Sequence, residues 1–258
     1  MKKELDTVIS AVRQAGEAII RIADEQYKIA EKAADKDVLT AADLEADRIL
    51  RETLTAEFPD YGWLSEETKG QKGQFEHKRL WIVDPLDGTR EFVMKNPEFV
   101  VSVALVEDGK PILGVIYNPS TDKLFETAAG YGVKLNGNTV SSNHKLSGKA
   151  VVEVSRSDIA KGVFNDIGDS IELRPCGSIA YKLARLSAGM ADSVISLTPK
   201  NEWDIAAGVI LVKAAGGIVR DKSDNEFVFN RGQLLNGVIA ASKDAYNTIV
   251  EVVGNIEK

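Results

Sequence analysis

The sequence predicts a mixed fold in which an α+β half is followed by an α/β half. Residues 4–58 carry apolar positions at helical spacing, and residues 61–135 form short β-rich runs separated by tight-turn signals. After about residue 142, predicted strands and helices alternate. We therefore assign residues 1–141 to an N-terminal α+β half with an antiparallel sheet and residues 142–258 to a C-terminal α/β half.

Two amphipathic helices are predicted at the start of the chain. Apolar residues recur every three to four positions over residues 4–31, which is typical of one buried helix face. A charged stretch, residues 31–37, predicts an irregular connection. A second helix is predicted from Asp43 to Phe58, where Pro59 ends it.

The remaining elements follow from changes of period along the chain. Strands are predicted at residues 62–65, 80–83, 99–106, 111–117, 124–128, 132–135, 151–155, 191–197, 217–220 and 238–241. Further helices are predicted at residues 178–188, 204–215 and 243–253. Asp108-Gly109 and Asn136-Gly137 indicate hairpin turns, and the Gly/Lys/Gln-rich residues 69–74 predict a mobile connection.

The composition excludes several classes of function. A chain of 258 residues with 44% hydrophobic residues can bury a large core, and a net charge of −7 argues against nucleic-acid or anionic-membrane partners. One cysteine allows no intrachain disulfide, and neither a signal-peptide pattern nor an apolar run long enough to span a membrane is present. We therefore expect a soluble cytoplasmic protein. Because the chain has two histidines and 39 acidic residues, a hard oxygen-binding cation is the better expectation for a metal.

Residues 84–89 carry the strongest chemical pattern. An apolar run delivers Asp84 to the end of a buried strand, and Pro85 holds it extended and removes a competing N–H. Asp87 follows, and then Gly88 permits positive φ and close approach of a ligand. Thr89 provides a hydroxyl where a helical turn begins and free N–H groups favour an anion. The segment fits a metal–phosphate site, and an ordinary Asp-Gly turn fits it equally well.

Three further acidic positions stand at the ends of predicted elements. Glu66-Glu67 follows a short apolar strand, although paired glutamates commonly lie on a solvated surface. Asp43 and Asp204 each begin a predicted helix, where N-capping is the commonest role. Asp43 also shares the buried stripe of its helix, where an unpaired carboxylate is costly and a metal would offset the cost. Together with residues 84–89, these positions favour a cation site.

Taken together, these segments resemble the inositol monophosphatase superfamily of Mg²⁺-dependent, Li⁺-sensitive phosphatases. The matching pieces are residues 39–43, Ser65-Glu66-Glu67, residues 84–89, Gly177-Ser178 and residues 203–208. The resemblance spans nearly the whole chain. It implies a layered α-β-α-β-α sandwich, a small phosphorylated substrate and a homodimer.

The resemblance also implies a role for each matching residue. The implied metal ligands are Glu66, Asp84, the carbonyl of Leu86, Asp87 and Asp204, with Asp43 holding a further ion through water or acting as a base. By the same resemblance, Glu66 and Thr89 are catalytic, with Thr89 orienting the attacking water, and the amides of Gly88 and Thr89 hold phosphate. The cofactor is Mg²⁺, as two or three ions; Mn²⁺ could replace it, and Ca²⁺ or Li⁺ would inhibit. In such sites one ion activates the water and another stabilises the leaving alkoxide.

Within the superfamily, Arg90-Glu91-Phe92 after Thr89 resembles the 3'(2'),5'-bisphosphate nucleotidase branch. Inositol phosphatases commonly carry a glutamate where this chain has Leu197. We therefore expect a nucleotidase that removes the 3'-phosphate of adenosine 3',5'-bisphosphate. In this interpretation Arg90, Glu91, Gly177 and Ser178 contact substrate, and Arg156 either meets a second phosphate or is a surface cation.

Two departures keep other substrates open. Asp37-Val38 stands where nucleotidases carry Ser-Pro, and the spacing from Gly177 to Gly189 is closer to that of inositol phosphatases. The alternative is a phosphatase of inositol 1-phosphate or another sugar phosphate. A third hypothesis, from another class, is a non-catalytic metal-binding regulatory protein.

Overall fold

The structure, a computed structural model, describes residues 1–29, 35–68, 76–165, 167 and 169–256, without the side chains of residues 25–40 and 255. Three features of the sequence analysis therefore lie outside the described part: residues 31–34 of the irregular connection predicted at 31–37, the predicted mobile residues 69–74, and the side chains of Asp37-Val38. Within that part, no helix combines the length and apolar character needed to cross a membrane.

Two long helices begin the chain, strands predominate up to residue 140, and helices and strands are interspersed after it. The α-helices are α1 (Lys2–Ile29), α2 (Asp35–Glu57), α3 (Thr89–Val93), α4 (Arg156–Ala160), α5 (Ile179–Ser187), α6 (Glu202–Ala214) and α7 (Tyr246–Ile256), with a 3₁₀ turn at Glu66–Thr68. The strands are β1 (Gly62–Ser65), β2 (Arg79–Asp87), β3 (Val100–Glu107), β4 (Lys110–Asn118), β5 (Lys123–Ala128), β6 (Val133–Leu135), β7 (Asn138–Val140), β8 (Ala150–Val154), β9 (Ile171–Pro175), β10 (Ser193–Ser196), β11 (Ile218–Arg220) and β12 (Val238–Ala241).

The first sheet has the order β1-β2-β3-β4-β5-β6-β7. From β2 onward its neighbours are antiparallel, and β3 and β4 form a hairpin around Asp108-Gly109 as predicted. The pairing of β1 with β2 is parallel, with Gly62 opposite Leu80. The carboxyl ends of β1 and β2 therefore meet at one edge of the sheet.

The second sheet has the order β11-β12-β10-β8-β9. Its strands β9, β8 and β10 run parallel to one another, and β12 is antiparallel to both β10 and β11. The residues that follow β8, β9 and β10 consequently emerge at one edge, which is where ligands bind in many α/β sheets.

Three apolar cores lie between five layers: α1 with α2, the first sheet, α5 with α6, the second sheet, and α7. One core lies between α1, α2 and the first sheet, and it includes Val8, Leu50 and Trp81. A second core joins the other face of that sheet to α5, α6 and the second sheet, and a third joins the second sheet to α7. The predicted α-β-α-β-α sandwich is confirmed.

Several predicted boundaries are wrong, for identifiable reasons. Helix α2 begins at Asp35, so residues 35–37 are helical and Asp43 lies inside the helix instead of capping it. The 62–140 sheet contains a parallel pair, β1 with β2, in addition to the predicted antiparallel ones. Helix α4 and strands β7 and β9 were not predicted, because each has five residues or fewer and shows no clear apolar period.

Candidate active site

A cavity of about 480 Å³ lies where the parallel strands of both sheets end. From the first sheet, Glu66 follows β1 and Asp84 and Asp87 lie at the end of β2. From the second sheet, the cavity wall takes residues after β8, β9 and β10, among them Arg156 and Ser178. Since Glu66 and Asp204 are 138 positions apart in the chain, only the fold brings them to one cavity.

The end of β2 is built to present its carboxylates. The β2–β3 register shifts between Asp84 and Asp87, and the backbone amide of Leu86 donates to Asp84 Oδ1 at 3.1 Å. Gly88 then has φ 96°, and a Cβ there would lie 2.8 Å from the carbonyl oxygen of Glu98. Only glycine fits this position without strain, so the sharp change from β2 into α3 depends on it.

Asp87 joins the two halves of the chain. Its Oδ2 accepts hydrogen bonds from Ser178 Oγ at 2.6 Å and from the amide of Ala180 at 2.7 Å. Ser178 Oγ also accepts from the amide of Tyr181 at 2.9 Å, which caps α5. The N-terminus of α5 is therefore docked on Asp87, where helix N–H groups favour a negative charge.

Asp204 lies in the first turn of α6. Its Oδ2 accepts a hydrogen bond from the amide of Asn201 at 2.8 Å, so Asp204 is not the N-cap considered from the sequence but the third helical residue, bonded back to the N-cap Asn201. Buried Glu202 anchors the start of α6 to residues 230–232 of the same chain, because its carboxylate accepts hydrogen bonds from the amides of Asn230, Arg231 and Gly232. This anchoring fixes the start of α6 and with it the position of Asp204.

The carboxylates raise one another's pKa values. Burial raises the pKa of Asp84 well above its ordinary value, and the charges of Asp87, Glu66 and Asp204 raise it further. Asp84 is only 2% exposed. Burial and Asp87 raise the pKa of Asp204 to about 7. A buried acidic group of this kind is stable when ionised only if a cation compensates it.

Asp43 interacts electrostatically with these carboxylates although it does not line the cavity. Burial, Glu67 and Glu66 raise its pKa to about 8, and its charge in turn acts on Asp84. Asp43 itself is not among the residues that line the cavity. In the described part of the chain, no three Asp, Glu, His or Cys side chains already form a ready-made metal-binding group. Mutually repelling carboxylates are expected to stay apart until a cation draws them together.

A corner of the cavity is organised by Glu98, which the sequence analysis missed. Glu98 Oε2 accepts from Arg156 at 2.6 Å and from the amide of Gly177 at 2.7 Å. Glu91 lies 3.5 Å from Arg156 and so close to Gly177 that a Cβ there would be 2.3 Å from the Glu91 side chain. Arg156 is therefore held by two carboxylates and is not a lone surface cation.

The cavity gathers most of the predicted residues. Those on its wall are Glu66, Asp84, Leu86, Asp87, Gly88, Thr89, Arg90, Glu91, Arg156, Gly177, Ser178 and Asp204. Lys182 and Lys200 also line it and were missed by the sequence analysis. Lys182 could have been found, because it lies one helical turn after Ser178 on the same face of α5. Lys200 lies in a loop without a recognisable pattern.

This layered fold is that of a group of phosphatases that act on phosphate monoesters. The chain matches the model of the inositol monophosphatase family over residues 1–258, and it belongs to that family. The family is generally Mg²⁺-dependent. The predictions of family, fold and phosphatase activity are confirmed.

The similar proteins differ in substrate. The chain is 36% identical to inositol monophosphatase 3 of Solanum lycopersicum, over 86% of this chain and 87% of that protein. It is 35% identical to the 3'(2'),5'-bisphosphate nucleotidase CysQ of Escherichia coli K12, over 84% of this chain and 90% of that protein. The solved structure of an inositol monophosphatase from Thermotoga maritima has a TM-score of 0.82 and 30% identity, covering 100% of this chain and 98% of that one.

Proposed function

We propose that the cavity binds Mg²⁺ and hydrolyses a small phosphate monoester by attack of water. The observation that carries this proposal is Asp84, a nearly fully buried carboxyl whose strongest electrostatic neighbours are other carboxylates. A charge in that position requires a cation. Asp84, Asp87, Glu66, Asp204 and the carbonyl of Leu86 are the proposed ligands.

The donor set fits this ion. It consists of carboxylate and carbonyl oxygens, the ligands that Mg²⁺ prefers, whereas Cys176 is buried with a pKa raised to about 12 by burial and is a poor ligand. When bound, Mg²⁺ supplies activation of water and stabilisation of the leaving oxygen. Two ions, or a third near Asp43, agree with the number of carboxylates, and Mn²⁺ is expected to replace Mg²⁺ while Ca²⁺ and Li⁺ inhibit.

The remaining residues of the wall have roles in orientation. Thr89 begins α3, two residues after Asp87. Its hydroxyl and Glu66 are proposed to orient the attacking water, so the mechanism needs no covalent nucleophile. The amides of Gly88 and Thr89 are proposed to hold phosphate oxygens, since Gly88 leaves no side chain in the way. Asp43, which does not line the cavity, is proposed to act through water.

For the substrate we propose adenosine 3',5'-bisphosphate. Arg90-Glu91-Phe92 follows Thr89, and Leu197 stands where inositol phosphatases commonly carry a glutamate for a ring hydroxyl. The similarity to CysQ supports this choice. Inositol 1-phosphate is the second candidate, because the similarity to inositol monophosphatase 3 is of the same strength. The homodimer and the cytoplasmic location expected from the sequence stay predictions.

The test is release of inorganic phosphate by the purified protein with Mg²⁺, with and without Li⁺. The substrates are adenosine 3',5'-bisphosphate, inositol 1-phosphate, fructose 1,6-bisphosphate and histidinol phosphate. We expect the highest kcat/KM for the nucleotide and inhibition by Li⁺. A preference for inositol 1-phosphate would overturn the choice of substrate, and activity that persists in excess EDTA would overturn the metal-dependent mechanism.

A further inference from the structure

Lys182 places a buried positive charge on the cavity wall. The residue is 3% exposed, and its Nζ donates to the carbonyl of Cys176 at 3.4 Å. Within the described part of the chain, the other N–H donors of this ammonium find no acceptor. Burial lowers the pKa of Lys182, while the negative charge of Asp87 raises it. A buried ammonium with open donors is costly unless a ligand completes its hydrogen bonds.

Lys200 approaches the same wall from the loop after β10. Its Nζ donates to Thr198 Oγ1 at 2.7 Å, and its backbone pairs with Leu235 at 2.8 and 3.0 Å. The backbone pairing fixes the position of this lysine although it lies in a loop. Lys182 and Lys200 line the same cavity, and the charge of Lys200 acts on Lys182.

The negative charges around the two lysines do not balance them. Asp87, Asp204 and Asp158 act on Lys200. Asp87 and Asp204 are proposed cation ligands, so in the working enzyme their charge is shared with the cation. Asp158, which is 7% exposed and lines the same cavity, is the remaining one of these three carboxylates, and its charge acts on both lysines. The wall is left with an excess of positive charge, which suits an anionic group.

Arg156, the residue considered for a second phosphate, is already engaged. Glu98 binds it at 2.6 Å and Glu91 lies 3.5 Å away. Binding a phosphate there would require breaking a short charged pair that also holds the amide of Gly177. Among the residues that the structure describes, no carboxylate forms an ion pair with either Lys182 or Lys200.

We infer that Lys182 and Lys200 bind a second phosphate group of the substrate and thereby make the enzyme select bisphosphates over monophosphates. The inference rests on the proposed phosphatase activity of the same cavity. The phosphate that is cleaved lies against the carboxylate side, and the phosphate that is retained lies against the lysine side. Both groups are dianions at neutral pH, and a lysine binds such a group as a compact point charge.

The test compares two substrates that differ only in the second phosphate. For adenosine 3',5'-bisphosphate and adenosine 3'-monophosphate, kcat/KM is measured in the wild type, Lys182→Met and Lys200→Met. We expect each substitution to lower the preference for the bisphosphate by about tenfold, through KM, because a charged hydrogen bond contributes at least that much. Methionine fills the space of the lysine stem without a charge, so the fold is expected to be kept.

Two further variants serve as controls. Lys200→Arg keeps the charge and is expected to retain most of the preference. Lys149→Met removes a lysine that pairs with Asp169 on the surface and does not line the cavity, and it is expected to change neither substrate. Circular dichroism and thermal unfolding show that each variant is folded.

The outcome separates the inference from the proposed substrate. If the nucleotides are not cleaved, the nucleotidase proposal fails, and the same ratio is measured with inositol 1,4-bisphosphate and inositol 1-phosphate. A fall in the ratio there supports the lysine site. An unchanged ratio in the pair that is cleaved, or an equal loss for both substrates, overturns it, since an equal loss means that the lysines only balance Asp87. Cleavage of neither pair contradicts both proposals.

Discussion

Replacement of Asp204 by asparagine is expected to stabilise the metal-free protein while it removes activity. Burial and Asp87 raise the pKa of Asp204 from 3.8 to about 7. An acid whose pKa is raised on folding lowers stability as the pH rises above its unfolded pKa, by about 1.4 kcal/mol per unit. The cost of ionised Asp204 is therefore up to about 4 kcal/mol at pH 8 and about 2 kcal/mol at pH 5.

Asparagine removes that cost and keeps an oxygen that accepts from the amide of Asn201, so the first turn of α6 is retained. We therefore expect Asp204→Asn to gain up to about 4 kcal/mol of unfolding free energy at pH 8 and about half of that at pH 5. In the presence of Mg²⁺ the variant is expected to lose catalysis, because a proposed ligand of the ion is gone.

The assay is urea unfolding in EDTA at both pH values, followed by phosphate release in Mg²⁺. Asp169→Asn is the control, since its side chain is fully exposed and its substitution is expected to leave stability unchanged at either pH. An Asp204→Asn protein that is less stable than the wild type at pH 8, or equally stabilised at both pH values, would refute the electrostatic reasoning.

Three other changes test separate parts of the site. Mg²⁺ at a hundredfold excess over its Kd is expected to stabilise the protein by about 2.7 kcal/mol and so to raise the Tm by about 5 °C at pH 8. The rise is expected to be smaller at pH 5, because Asp204 and Asp43 are then protonated. Calorimetry measures the Tm at both pH values, and an equal rise at the two would count against carboxylate ligands. Asp87→Asn is expected to lower kcat/KM by at least about 100-fold with an unchanged circular dichroism spectrum, and near-normal turnover would contradict the site. Gly177→Ala would place a Cβ 2.3 Å from the Glu91 side chain and is expected to lower the free energy of unfolding in urea by about 1–3 kcal/mol. The control Gly132→Ala has open space for its Cβ and is expected to change that free energy little. Equal changes in the two variants would show that the cavity wall around Gly177 adapts to the added methyl group.

Local patterns in the sequence were sufficient for most of the fold. The strands β1 and β12 were predicted at their observed bounds, because apolar runs and turn residues frame them. Strand β9 was missed because it lies at the edge of its sheet and alternates charged with apolar side chains only weakly. The start of α2 was placed at Asp43 because capping residues are common before apolar stripes, although buried Ala42 already continues the stripe towards the N-terminus.

The candidate site was predictable where one short segment holds its chemistry and not where distant segments meet. Residues 84–89 were recognised as a candidate site because acids, glycine and threonine stand together at a strand end, and the acids at positions 43, 66 and 204 then favoured a cation site over an ordinary turn. Glu98 could not be found in this way, because its partners Arg156 and Gly177 are 58 and 79 positions away. Lys200 likewise reaches the cavity only through the pairing of its loop with Leu235.

The central claim is that the acidic end of the cavity binds the catalytic cation, and the most direct test is anomalous diffraction from a crystal soaked in Mn²⁺. We predict at least one anomalous peak coordinated by Asp84 and Asp87, with Glu66 or Asp204 completing its ligands. A Mn²⁺-active enzyme whose anomalous peaks lie away from these carboxylates would contradict the account.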